Sequence, residues 1–346
     1  MISLRNLMAS FVVLCCCVAL AQDISELKAK AEAGDDAAQM ELAKAYDFGK
    51  GVKADRFAAF DWYMKAAQAG NADAQNIVGV DLRTGDGGRK DAEEALKWFR
   101  LAAKQGFPDA MFNVGTAYFN GDGVPISDSF ATAWFVVAKE FGSKAADAAV
   151  TRTLAETPDY KTSDGMALAA SMLLEGREIP ARPQSAGPWM KKAAEAGNKS
   201  ALMKLAKMYI DGTGVPQDLA MGVSYCENGA KAGLPAGMAC MGYVYRSGRG
   251  RSANIKTSID WYKKAAGCGE ANSTYALGQM YKTGEGVLQD PVEAYALLTI
   301  AGGALPKAKE EAEALRPTLT AAQLKKAQKE MIEFPAKNRP RLCLWE

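Results

Sequence analysis

A Gly-x-Gly turn returns at a fixed distance along this chain of 346 residues. It stands at Gly49-Lys50-Gly51, Gly85-Asp86-Gly87, Gly121-Asp122-Gly123, Gly212-Thr213-Gly214, Gly248-Arg249-Gly250 and Gly284-Glu285-Gly286, and Gly176 is a degenerate member. The steps are 36 residues throughout, apart from one of 55 between Gly121 and Gly176. An aromatic pair keeps the same beat at Trp62-Tyr63, Trp98-Phe99, Trp134-Phe135 and Trp261-Tyr262, with Trp189, Tyr225 and Leu297 in the remaining slots. So does an Ala-Ala-x-x-Gly ending: Ala66-Ala67 with Gly70, Ala102-Ala103 with Gly106, Ala193-Ala194 with Gly197 and Ala265-Ala266 with Gly269. Three markers in one phase define a repeated structural unit, so length alone does not count the domains.

Between the markers, apolar residues fall at helical spacing, as in Ala38, Leu42, Ala43 and Tyr46, or Ala110, Val114, Gly115 and Tyr118. Each unit therefore reads as helix A, a glycine turn that stops it, and helix B. Small alanines on helix B let the next unit approach, and the large Tyr and Trp side chains fill the wedge between the two helices. One such unit cannot bury its apolar face alone, so the units must stack. The expected fold is all-α, an α/α superhelical solenoid of seven 36-residue helix-turn-helix repeats with capping helices at both ends.

These residues resemble the Sel-1-like repeat family, within the tetratricopeptide-like helical superfamily. Its pattern runs A-x-x-x-L-G-x-x-Y-x-x-G-x-G-V-x-x-D-x-x-x-A-x-x-W-Y-x-x-A-A-x-x-G. The unit from Ser273 to Gly302 carries Leu277-Gly278, Tyr281, Gly284-Glu285-Gly286-Val287 and Asp290 of it. The resemblance covers residues 30 to 304. It implies a protein-binding scaffold with helix A lining the concave side, and it names no partner.

The departures from the period set the expected organisation. Residues 1–21 form a signal peptide, 22–142 an N-terminal capping helix with repeats 1 to 3, 143–161 an inserted helix and joint, 162–304 repeats 4 to 7, and 305–346 a C-terminal capping helix and tail. Ile24 to Ala33 reads as a lone helix B, and the charged amphipathic stretch that runs from beyond Leu305 through Leu319 to Met331 as the terminal cap, with Leu342, Leu344 and Trp345 docking back on the array. The turn from Gly176 to Pro183 lacks the second glycine and the aspartate, so a different backbone is expected there, through drift or as a hinge.

Residues 1–21 carry Arg5, an apolar run from Leu7 to Val18, and Ala19-Leu20-Ala21 as a small-x-small cleavage site. The expected location is periplasmic or secreted, with no membrane span after cleavage. An uncleaved anchor is the alternative, against which stands an apolar run shorter than the roughly 20 residues a spanning helix needs. Cys15, Cys16 and Cys17 follow Val12-Val13-Leu14, which lacks the small residue a lipid-attachment site wants. Loss of Arg5 lowers the formal charge of +2 by one unit, which leaves no field for nucleic acid. Cys226, Cys240, Cys268 and Cys343 remain, an even number in an oxidising compartment. Cys240 and Cys268 lie on helices A and B of one unit and form the expected disulfide, with buried free thiols as the alternative.

The chain contains no histidine. A Ser-His-Asp triad, a Cys-His pair and an imidazole metal site are thereby excluded. Ser25-Glu26-Leu27-Lys28 has the Ser-x-x-Lys form but no companion motif. The pairs Asp35-Asp36, Glu93-Glu94 and Glu310-Glu311 point apart on a helix and form no acid/base couple. No catalytic residue, cofactor or metal is expected.

A protein or peptide partner is expected instead, on the stripe of helix A that faces away from the inward columns. It comprises Met40, Lys44, Arg83, Phe112, Phe119, Met203, Lys207, Tyr243, Arg246, Tyr275, Gln279 and Lys282. Its aromatic and Arg anchors suit a groove for a peptide or partner helix. The alternative is that Phe112, Phe119, Ile210 and Met203 pack on the neighbouring helix A. The functional reading is an exported scaffold that regulates or assembles envelope proteins. The competing readings are a cell-wall protein of the peptidoglycan- or penicillin-binding kind, or a secreted effector.

Overall fold

A computed structural model describes residues 24–157, 159–341 and 343. The expected signal peptide and cleavage site, and the expected docking of Leu342, Leu344 and Trp345, lie outside these residues. Among the described residues there are helices and turns but no strand, and the chain is an all-α solenoid. Helix α1 (24–32) stands alone. Six helix A/helix B pairs share one design: α2 (Asp36–Phe48) with α3 (Arg56–Gln68), α4 (Ala72–Thr84) with α5 (Ala92–Lys104), α6 (Pro108–Asn120) with α7 (Asp128–Glu140), α11 (Lys199–Asp211) with α12 (Leu219–Lys231), α13 (Pro235–Ser247) with α14 (Ile255–Gly267), and α15 (Ala271–Thr283) with α16 (Pro291–Gly302). The insert forms α8 (Lys144–Glu156), followed by α9 (Asp159–Glu175) and α10 (Pro183–Glu195). After α17 (Pro306–Leu315), a 3-10 turn (Arg316–Thr318) leads into α18 (Ala321–Asn338). The fold parts into two compact units, one ending at Ser185 and one beginning at Ala186. That division lies later than the joint expected at 143–161.

Local chemistry sets the helix boundaries. Asp55, Asp91, Ser127, Asp218, Asn254 and Asp290 each cap a helix B by accepting a hydrogen bond from a first-turn N–H. Gly49, Gly85, Gly121, Gly212, Gly248 and Gly284 end each helix A in the left-handed conformation. The fourth turn overturns one expectation. Glu178 occupies the slot of the second glycine, and its φ of 62° lies close to the 72° of Gly51, Gly123's 72° and the 74° of Gly214. The backbone is retained without its glycine. Packing holds it: Ile179 is buried, Pro180 sits against Gly106, and Arg182 lies 3.8 Å over the Phe141 ring.

Within a pair, helix A leaves a gap that a helix B ring fills. A Cβ at Gly79 would stand 2.6 Å from the Phe99 ring, one at Gly115 2.6 Å from Phe135, and one at Gly242 2.5 Å from Tyr262. The second aromatic of each pair thus enters the wedge of its own repeat. A lysine one turn on covers the indole of the first, with Lys65 3.7 Å over Trp62, Lys192 4.5 Å over Trp189 and Lys264 4.3 Å over Trp261.

The C-terminal end is closed by two helices, where the sequence suggested one. Pro317 interrupts the stretch, and Thr320 and Gln323 restart it with a reciprocal capping box. Ala308 and Ala312 of α17 pack on Leu298 and Ala301 of α16. Phe334 of α18 enters the core of α14 and α15 beside Ile259, Tyr262 and Leu277.

The structure joins Cys226 to Cys240 and Cys268 to Cys343, which corrects the expected Cys240–Cys268 pair. Cys240 faces α12 of the preceding repeat, not its own helix B. There a Cβ on Gly237 would stand 2.4 Å from the Gly229 backbone, so α12 and α13 touch almost main chain to main chain. Cys240 lies one turn beyond that contact, with its Cα 5.6 Å from that of Cys226. Cys268 ends α14 and meets the tail, which crosses Gly267 at Asn338 and Arg339.

Candidate partner-binding surface

The helix A stripe is built differently in each repeat. In the N-terminal unit most of it is spent on the chain itself. Met40 is 7% exposed and so belongs to the core, contrary to its expected place on an accessible face. Lys44 pairs with Asp73 at 3.6 Å. Arg83 donates to Asn113 at 3.3 Å and lies over the Phe99 ring. Phe112 and Phe119 pack on Phe135, with ring centroids 5.5 and 6.4 Å apart, and Arg152 covers Phe119. These two rings are structural, packed on helix B of their own repeat and not on the neighbouring helix A.

At the C-terminal end three stripe residues converge on one carboxylate. Glu311 of α17 accepts from the Tyr275 hydroxyl on Oε1 at 2.7 Å, and on Oε2 from Gln279 at 2.6 Å and Lys282 at 2.8 Å. Burial works against the Glu311 charge, but the bonds from Lys282, Gln279 and Tyr275 outweigh it and hold the carboxyl down to about 2. Tyr275, Gln279 and Lys282 are therefore occupied within the chain, which corrects their expected availability. Arg246 is likewise engaged, with Nε at 2.9 Å and Nη2 at 2.5 Å from the two oxygens of Glu285.

Between these ends, in the C-terminal unit, the stripe opens. A recess of about 500 Å³ lies between α11 and α13, lined by Met203, Lys207, Ile210, Asp211, Ala236, Ala239, Cys240 and Tyr243. One column of the repeat contributes to it. The position that reads Met40, Asn76, Phe112, Met203 and Tyr275 in five repeats is Ala239 here, as it is Ala167 in the fourth. The Gly229–Gly237 contact and the Cys226–Cys240 bridge draw α13 onto α12 at the same level. Tyr243 stands 42% exposed at the rim, while Ile210 is buried in the wall. Asp211 is neutralised by Arg249 at 3.2 Å, and Arg249 also donates to the Ile210 carbonyl at 2.7 Å and the Tyr243 hydroxyl at 3.4 Å. The recess thus offers apolar walls, one aromatic rim and the exposed ammonium of Lys207. Met203, Lys207 and Tyr243 of the expected stripe line this recess together with Ala239 on the same face of α13; the sequence marks that face but not the space a small residue leaves on it.

Among the described residues no three His, Cys, Asp or Glu side chains are grouped to hold a metal. No described helix is long and apolar enough to cross a membrane.

The Sel1 repeat family model matches residues 36–71, 72–107, 108–148, 163–198, 199–234, 235–270 and 271–302. The fourth match spans the turn that lacks its glycine. Among solved structures, the chain is similar to c5321, a protective antigen of uropathogenic Escherichia coli strains displaying an SLR fold. The two are 25% identical over 91% of this chain and 71% of that one, with a TM-score of 0.41. It is also similar to a Sel1 repeat protein from Oxalobacter formigenes, at 27% identity over 85% of this chain and 80% of that one, with a TM-score of 0.40. No curated protein matches. With seven matched units covering most of its length, the chain belongs to the Sel1 repeat family.

Proposed function

We propose that this chain is an exported helical-repeat scaffold that holds a protein partner against helices α11 and α13 and thereby regulates or assembles envelope proteins. Repeats of this family generally mediate protein–protein interaction. The observation that carries the reading is the recess beneath Tyr243, where an apolar wall and an exposed aromatic side chain meet on the repeat stripe. Aromatic side chains that a partner covers at the centre of an interface dominate its energy. The protein performs no chemistry of its own, in keeping with a chain that lacks histidine. Export is supported by the apolar run and Ala19-Leu20-Ala21 site of the first 21 residues.

A photo-crosslinking amino acid at position 243, introduced in producing cells, tests the binding surface. A discrete protein adduct, lost when Ala239→Trp fills the recess, is the expected result. Adducts unaffected by Ala239→Trp, or recovery of peptidoglycan fragments alone, would overturn it. Export is checked by N-terminal sequencing, which should begin at Gln22.

A further inference from the structure

At the C-terminal end of the molecule the helix A stripe meets a carboxylate of its own chain. In α15 the stripe reads Tyr275, Gln279 and Lys282, and the facing position on the next helix is Glu311, whose carboxylate takes all three donors. Two repeats earlier, in α11, the stripe reads Met203, Lys207 and Ile210, and the facing position is Ala239. Register makes the comparison strict, because each residue stands 72 positions before its counterpart. The earlier site has a lysine but no carboxylate to meet it, and a recess where the side chain would be. Asp211, the acidic group in the lining, is already paired with Arg249, so the one uncompensated charge is that of Lys207.

We infer that the α11–α13 recess binds an acidic amphipathic helix of a partner protein, which sets one apolar side chain against Met203, Ile210, Ala239 and Tyr243 and a carboxylate on Lys207. The inference rests on the reading of this recess as the partner site, and it adds the chemistry that selects the partner. Its apolar walls accept a Leu or Phe, whose burial supplies affinity, and Lys207 supplies selectivity and orientation. A carboxylate one helical turn from the apolar anchor lies on the same face of the incoming helix, as Glu311 does three residues after Ala308 in α17.

Three fluorescent 16-residue alanine-based helical peptides test this on the oxidised, full-length mature protein. Each carries Phe, followed four residues later by Glu, Gln or Lys. Anisotropy titration should show the Glu peptide binding at least about tenfold more tightly than the Lys peptide, with Gln between, and the preference should shrink with salt. Lys207→Glu should reverse the order without loss of helicity, since Lys207 is exposed. Ala239→Glu should supply the carboxylate in cis and abolish binding of all three. Equal affinities for the three peptides, an order unmoved by Lys207→Glu, or no saturable binding of any would overturn the inference. If the Tyr243 crosslink persists in that event, only the acidic selectivity fails. Loss of both would remove the site itself.

Discussion

Arg56 and Asp81 form an ion pair, Nη2 to Oδ1 at 2.5 Å, where later repeats set two apolar side chains in a common core. The corresponding residues are Leu219 with Val244 and Ile255 with Met280. Asp81 is 1% exposed, and its second oxygen is buried without a hydrogen-bond partner. Arg56 also reaches Asp47, which in turn accepts from the Tyr63 hydroxyl at 3.3 Å. Burial pushes the Asp81 carboxyl up to about 6, against the pull of Arg56.

Removing Arg56 should cost about 3–5 kcal/mol, because the buried Asp81 is left without its counter-charge, whereas removing Asp81 leaves Arg56 paired with Asp47. Arg56→Leu is therefore expected to destabilise the protein. The double variant Arg56→Leu/Asp81→Val should be neutral or up to about 4 kcal/mol more stable than the parent. Since the folded pKa exceeds the ordinary 3.8, the Asp81 contribution is fully present below that pH and is lost as pH rises through 6. Urea titrations between pH 4 and 7 should show this dependence in the parent and a flatter one in Asp81→Val.

Glu311 has the opposite sign. Its carboxyl is held down to about 2, so its contribution is complete above the ordinary 4.5 and is lost as pH falls from there through 2. Glu311→Ala should cost about 2 kcal/mol at neutral pH, the worth of a charge-assisted hydrogen bond. The gap between variant and parent should close by pH 2. Thermal melts at pH 7, 4 and 2 read this directly. An unchanged gap at pH 2 would assign the loss to packing of the side chain instead.

Glu178 bears a left-handed backbone that costs a residue with a Cβ about 1–2 kcal/mol. Glu178→Gly should therefore raise stability by about 1 kcal/mol, despite the entropy that glycine adds to the unfolded chain. The exposed ion pair with Arg100, at 4.0 Å, contributes too little to offset this. A denaturation midpoint that falls in Glu178→Gly would contradict the expectation.

The two disulfides close loops of 14 and 75 residues. Chain entropy alone assigns them roughly 3 and 4.5 kcal/mol of stabilisation. Peptide mapping without reduction should recover Cys226 with Cys240 and Cys268 with Cys343. Cys226→Ser/Cys240→Ser should also weaken crosslinking from position 243, because the bridge helps to hold the recess open. Cys268→Ser/Cys343→Ser should leave that crosslinking unchanged while lowering the melting temperature.

Periodicity made the repeats legible, because a glycine turn and a packed aromatic impose the same chemistry every 36 residues. The extra helix at Lys144–Glu156 could be read as a break in that beat. What escaped depends on differences between repeats, not on their likeness. A helical stripe predicts which residues share a face, but not what covers it, so the capture of Tyr275, Gln279 and Lys282 by Glu311 stayed hidden. Glu311 itself was visible only as half of an unremarkable Glu-Glu pair. The repeat period places Cys240 with its own helix B, whereas the close approach of Gly229 and Gly237 brings it to the preceding repeat, a contact that periodicity does not encode. The retained turn at Glu178 shows the limit of local propensity: packing of Ile179, Pro180 and Arg182 overrides the missing glycine.

The bridge between Cys268 and Cys343 also has a mechanical meaning. Arrays of repeats unravel from their ends, because a terminal repeat has only one neighbour. Here a pull on the chain beyond Cys343 passes through sulfur directly to the end of α14. Helices α15 to α18, which lie inside the closed loop, are removed from the load path. In the oxidised protein the C-terminal end would resist traction as one piece, and forced unfolding would have to begin elsewhere.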